Sequence, residues 1–243
     1  MASVKWGFEE ISAHKRPKLL RALLAEFLGI FMLNLFGCIA ATCGDPAVIS
    51  IAFGFEVFMI ISALGHVSGS HINPAVTVGF LVSGQVTLVR AVLYVVVQCV
   101  GAVAGTACMK AFLPESEHGE LCHLYLDPSI SVLRGVFIEC SVTFLLMLTV
   151  LGVSDENKSE SKFSAALTVG LVVVLGNLSA IKFTGASMNP GRYFGSAVIA
   201  GSWENHWVYW AGPLLGAIAA SLLYVHLFRA PPRSRENEQG HDL

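Results

Sequence analysis

Apolar residues in this chain come in long runs. A helix needs about 20 mostly apolar residues to cross a bilayer. Six runs meet that requirement: roughly Leu19 to Cys43, Val48 to Leu64, Ala91 to Leu113, Val132 to Val153, Phe163 to Ile181 and Trp207 to Phe228. Two further apolar pieces, 74–82 and 190–200, are too short to span, and each opens with Asn-Pro. A short helix at membrane depth is tolerated only where protein or a water-filled cavity covers its ends. The pattern therefore predicts an all-α membrane protein of six transmembrane helices and two re-entrant half-helices. Polar punctuation divides it into an N-terminal segment 1–18, a first half 19–113, a loop 114–131, a second half 132–228 and a tail 229–243.

Composition agrees with a membrane class. Hydrophobic residues make up 54% of the 243 and charged residues 13%, against about 25% charged in soluble domains; mean hydropathy is +0.67. A net charge of -2 argues against a nucleic-acid partner. Six cysteines without Cys-x-x-Cys or His-x-x-x-His spacing give no expectation of a metal, and no motif calls for a cofactor. The N-terminus stays polar as far as Lys18, so the first run is read as a retained span and not a cleaved signal.

Lys5, Lys15, Arg16, Lys18 and Arg21 precede or open the first span, and Arg229, Arg233 and Arg235 follow the last. Positive charge marks the cytoplasmic side, so both termini are expected there, in what is read as a plasma membrane. The acidic loop with Glu115, Glu117, Glu120 and Asp127 is then extracellular. The sequon at Asn157-Lys158-Ser159 falls on the cytoplasmic side and that at Asn177-Leu178-Ser179 inside a span. Neither is expected to be modified.

The halves repeat. Ser68-Gly-Ser-His-Ile-Asn-Pro-Ala-Val-Thr lies over Thr184-Gly-Ala-Ser-Met-Asn-Pro-Gly-Arg-Tyr, Gln98-Cys-Val-Gly-Ala over Pro213-Leu-Leu-Gly-Ala, and Glu26 over Glu139. Three spans per half require the second half to insert upside down, and inverted repeats place their site at the midplane, where broken helices meet. Asn73 and Asn189 cap the half-helices, with Pro74 and Pro190 at the first helical position, followed by Ala75 and Gly191. The two positive helix ends then face one spot, which repels cations and admits neutral molecules. The preceding segments, Gly69, Ser70, His71, Ile72 and Gly185, Ala186, Ser187, Met188, read as extended, with carbonyls left for a file of water. Arg192 reads as a pore-facing donor that repels cations. Glu26 and Glu139 read as structural acceptors for backbone N–H groups of the re-entrant loops. Glu56 fits either the pore or a subunit contact, and His71 either the inner mouth or packing. Gly101, Gly105, Gly212 and Gly216 allow close helix approach.

These motifs, with Ala25-Glu-Phe, Gly65-His-Val-Ser and Asn205-His-Trp-Val-Tyr-Trp-Ala-Gly-Pro, resemble the aquaporin family of major intrinsic proteins over nearly the whole chain. The resemblance implies a homotetramer in the lipid bilayer, one pore per subunit, passive flow of water, and no enzyme activity. It carries the family's selectivity filter onto Phe53, Asn177, Ala186 and Arg192. Strict water channels usually have His at the position of Asn177 and often Cys at that of Ala186. The filter looks more like that of relatives, notably in insects, that lack the His and conduct glycerol and urea. Tyr193 stands where glycerol facilitators usually have Asp, so a strictly water-selective channel is the alternative. An alternating-access transporter, the rival from another class, would need acids converging at the midplane. Mercurials are not expected to act at Ala186. Whether Cys43 and Cys122 interact is left open. Gly191 should weaken the start of its half-helix by roughly 1 kcal/mol relative to Ala.

Overall fold

The computed structural model describes residues 5–118, 121–157 and 162–231. Glu120, Lys158, Ser159, Arg233 and Arg235, used above for orientation and the sequon, lie outside the described residues. Eight α-helices run through it: α1 (Arg16–Ala41), α2 (Pro46–Ser68), α3 (Pro74–Val82), α4 (Leu88–Phe112), α5 (Val132–Val153), α6 (Lys162–Thr184), α7 (Pro190–Ala200) and α8 (Val208–Leu223). Six stretches are long and apolar enough to cross a membrane, and α3 and α7 are the two short ones. A π-helical turn, Tyr224–Phe228, continues α8 to the end of the sixth span.

Local chemistry sets several boundaries. Asp45 caps α2 by accepting the N–H groups of Ala47 and Val48, so this helix starts at Pro46, earlier than the hydrophobic run. At its other end α2 runs past Leu64 to Ser68; Gly69, at φ 90°, then ends it. Thr87 and Ser131 cap α4 and α5 in the same manner.

The packing obeys a two-fold exchange of the halves. α1 packs on α4 as α5 packs on α8, α1 on α2 as α5 on α6, and α2 crosses α6 between the halves. The short helices are swapped: α3 rests on α8 of the second half and α7 on α4 of the first. Close approach relies on glycine. A Cβ on Gly101 or Gly105 would fall 2.5 or 2.3 Å from the carbonyl oxygens of Phe27 or Phe31 in α1. A Cβ on Gly216 would likewise fall 2.2 Å from the Cys140 carbonyl oxygen of α5. Large apolar side chains such as Leu24, Phe36, Phe55 and Phe137 point outward, as a hydrocarbon-facing surface requires.

Candidate functional site

The two Asn-Pro turns meet in the interior. Asn73 Oδ1 accepts the N–H of Ala75 at 2.8 Å, and its Nδ2 donates to the Met188 carbonyl at 2.8 Å. Asn189 does the reciprocal: Oδ1 accepts from Gly191 and Arg192 at 3.0 and 3.1 Å, and Nδ2 donates to the Ile72 carbonyl at 2.8 Å. Each side chain therefore caps its own half-helix and ties it to the opposite loop. A carboxamide nitrogen carries two hydrogens, so one per Asn is left for the lumen that both residues line. Pro74, Ala75, Pro190 and Gly191 are buried behind them. Gly191 sits under pressure: a Cβ there would come 3.0 Å from both Ile30 Cδ1 and Pro74 Cδ.

The loops before the half-helices are not extended, which corrects the reading above. Ser70, Ile72, Ala186 and Met188 all have positive φ, between 43° and 52°. Such a conformation is unusual for any non-glycine residue and most so for β-branched Ile72; each strained residue costs about 1–3 kcal/mol. The cause is the buried acids. Glu26 Oε1 accepts from Ser68 Oγ and the His71 N–H at 2.6 and 2.9 Å, while Oε2 accepts from the Ile72 N–H and Gln98 Nε2 at 2.6 and 2.7 Å. Glu139 takes Thr184 Oγ1, Ser187 N–H and Met188 N–H at 2.7, 2.9 and 2.9 Å. Bonds to a carboxylate are roughly twice as strong as neutral ones, and the successive N–H groups form an anion-holding concavity. Tyr94 and Tyr209 complete the equivalence, their hydroxyls donating to the Ser68 and Thr184 carbonyls, each at 2.9 Å. Gln98 has no counterpart, because Pro213 occupies its place in the second half.

With their N–H groups committed to the acids, the two loops border a cavity of about 640 Å³. Its wall includes Gly69, Ser70, His71, Ile72, Ala186, Ser187 and Met188, and does not include Gly185. The carbonyls of Ile72 and Met188 already accept from the opposite Asn, so these two are shared and not left to the lumen alone. His71 both lines the cavity and packs: its ring lies on Phe80 at 4.4 Å, and Nδ1 meets Thr77 Oγ1 at 3.2 Å.

Phe53, Asn177, Ala186 and Arg192 all line this cavity. The Arg192 guanidinium carbon stands over the Phe53 ring. Asn177 Nδ2 donates to the Val173 carbonyl one turn back at 3.0 Å, so its amide lies along α6. Ala186 adds only a methyl. Three residues that the sequence did not place beside Arg192 surround it. Asn34 of α1 donates to the Arg192 carbonyl at 3.0 Å and to Thr106 Oγ1 at 2.9 Å. Cys122 accepts from Arg192 Nη2 at 3.1 Å, and Cys38 is the thiol beside Cys122, where Cys43 is exposed at the helix end. A lone Asn within an apolar run was the available signal for the first; nothing in the sequence signals the others. Glu56 lies behind the filter against Gly37, off the cavity wall, with Arg192 and Cys122 as its charged surroundings.

A family profile described as "Major intrinsic protein" matches residues 13–224. The chain belongs to the major intrinsic protein family. Aquaporin-2 of Bos taurus is 41% identical over 219 residues, covering 88% of this chain and 81% of that protein. Aquaporin-4 of Homo sapiens is 38% identical over 217 residues, covering 86% and 67%. Among solved structures, the aquaglyceroporin from Plasmodium falciparum matches with a TM-score of 0.80 at 26% identity, over 86% of this chain and 96% of that one. Family membership and the six apolar spans make this an integral membrane protein of a channel family.

Proposed function

We propose that the chain is a passive channel for water and for small uncharged solutes of the glycerol and urea class, closed to protons and ions. The observation that carries this reading is Asn177. Its amide is folded back onto Val173, and with only a methyl at Ala186 no ring crosses the filter opposite Phe53 and Arg192. A polyol hydroxyl or a urea N–H needs width and polar partners; the Arg192 donors and loop carbonyls supply the partners. Exclusion of cations follows from the two half-helix N-termini converging on Asn73 and Asn189, reinforced by Arg192. The name of the structural relative, aquaglyceroporin, is in keeping with this solute class. The chain acts as a homotetramer in the plasma membrane, with both termini cytoplasmic. The outward apolar side chains suit contact with lipid and neighbouring subunits, and the basic N-terminal segment sets the orientation.

Stopped-flow shrinkage of proteoliposomes in glycerol, urea and sucrose tests the reading. Glycerol and urea should enter faster than into empty vesicles. Water flux without either would leave the second reading, a strictly water-selective channel, which Tyr193 and the Tyr209-Trp210 pair favour. Uphill uptake driven by an ion gradient would instead favour a transporter.

A further inference from the structure

The cluster behind Arg192 contains chemistry that conduction does not use. Cys122 follows Leu121 in the loop before α5, both at positive φ, 51° and 59°. The turn delivers its sulfur to Arg192 Nη2 at 3.1 Å. Cys122 packs against the apolar cluster of α1 and α4 residues that contains Cys38, Leu35 and Met109. Cys38 is fully buried in that cluster, with its thiol next to the Cys122 sulfur. Cys122 itself is partly exposed. One sulfur thus faces a guanidinium, and a second thiol stands behind it. This is the arrangement of an attacking thiol and a resolving thiol.

We propose that Cys38 and Cys122 form a redox-active dithiol, oxidised by hydroperoxides to a disulfide that alters conduction at the filter. The neighbouring Cys38 thiol and the positive charge of Arg192 outweigh burial and draw the Cys122 thiol below its ordinary value, which favours the thiolate. The thiolate attacks the O–O bond of hydrogen peroxide, giving a sulfenic acid and hydroxide, which takes up the proton the thiol had released. The Cys38 sulfur then attacks the sulfenic sulfur, its proton leaving with the hydroxyl as water. Two thiols and one peroxide become one disulfide and two waters. The product ties the loop to α1 covalently. It also replaces a thiolate acceptor by a disulfide sulfur that accepts hydrogen bonds poorly. Arg192 lines the cavity, so losing the Cys122 acceptor releases Nη2 and lets the guanidinium swing into the lumen.

The test is osmotic water permeability of proteoliposomes before and after hydrogen peroxide, with peptide mass analysis on the same sample. Water is the readout, so absence of glycerol flux bears on the proposed solute class alone. Oxidation should join the Cys38 and Cys122 peptides with loss of two hydrogens, lower water permeability, and reverse with dithiothreitol. C122S should be peroxide-insensitive and C43S should respond like the parent. Because Cys38 is buried, C38A serves as a second variant, scored for loss of the cross-link. A cross-link that leaves permeability unchanged, or peroxide inhibition that persists in C122S, overturns the proposal, as does failure of the two peptides to join.

Discussion

The Arg192 guanidinium carbon lies 4.7 Å from the centroid of the Phe53 ring. A cation over an aromatic face gains about 0.5–2 kcal/mol, more as water is removed, and Arg192 is only 5% exposed. The ring therefore does two things: it bounds the lumen and holds the charge in place. Phe53→Leu removes both functions. Glycerol and urea permeability should rise while water flux is retained, as read by stopped-flow light scattering. Unchanged glycerol entry would show that Phe53 does not limit the aperture.

Asn177→His places a ring where the amide now folds back onto Val173. Glycerol flux should fall by about tenfold, equivalent to about 1.4 kcal/mol at the barrier, with water flux largely kept. Equal glycerol flux in both proteins would remove Asn177 from the account of selectivity.

Glu26→Ala deprives Ser68 Oγ, the His71 and Ile72 N–H groups and Gln98 Nε2 of their acceptor. Leaving even one buried group unpaired costs about 1–3 kcal/mol. The variant should show sharply reduced folded yield in detergent and a lower thermal transition. Glu26→Gln keeps part of the network and should fall between. A variant as stable as the parent would mean that the loop holds its shape without the acid.

Gly191→Ala restores the more usual residue of the motif and should recover roughly 1 kcal/mol of helix propensity. The added methyl, however, meets Ile30 and Pro74 at 3.0 Å. The gain should be cancelled, leaving the thermal transition unchanged or lowered; a clear rise would show that both neighbours yield freely.

Asp155 joins the loop after α5 to the chain beyond α8. Its carboxylate accepts the Ala230 N–H at 2.9 Å and the Tyr224 hydroxyl at 2.7 Å. Burial alone would raise its pKa, but the bonds from Ala230, Tyr224 and Asn157 prevail and hold it below the ordinary carboxylate value. A lowered folded pKa means that its stabilising contribution is present above the unfolded pKa and is lost as pH falls through the folded one. Amide exchange at Ala230, corrected for intrinsic rate, should therefore accelerate only in acid, below about pH 4. Asp155→Asn should show the faster exchange at neutral pH.

The six spans and two half-helices were legible because hydrocarbon thickness imposes a length that composition reveals directly. The equivalence of Glu26 and Glu139 was legible too, since a carboxylate in an apolar run stands out and the repeat supplies a second copy. The shape of the loops was not. Propensity argues against positive φ at Ile72 and Met188, and it is overridden by N–H groups converging on acids that are distant in the chain. The surroundings of Arg192 were equally hidden, because Asn34, Cys38 and Cys122 reach it from separate elements without any shared spacing. Cys43 stood out as a candidate partner of Cys122 and Cys38 did not; only the fold shows that Cys38 is buried within α1 while Cys43 is exposed beyond its end.

The swapped seating of the short helices bears on how the protein is made. α3 leaves the ribosome early, yet the surface it rests on, α8, is the last span to be synthesised. Until then α3 lacks its seat and the first half has an unfinished interior, so the nascent chain must keep α3 waiting at the membrane through the insertion of four more helices. Biogenesis, and not only conduction, is therefore where damage to the α3–α8 contact should first be felt.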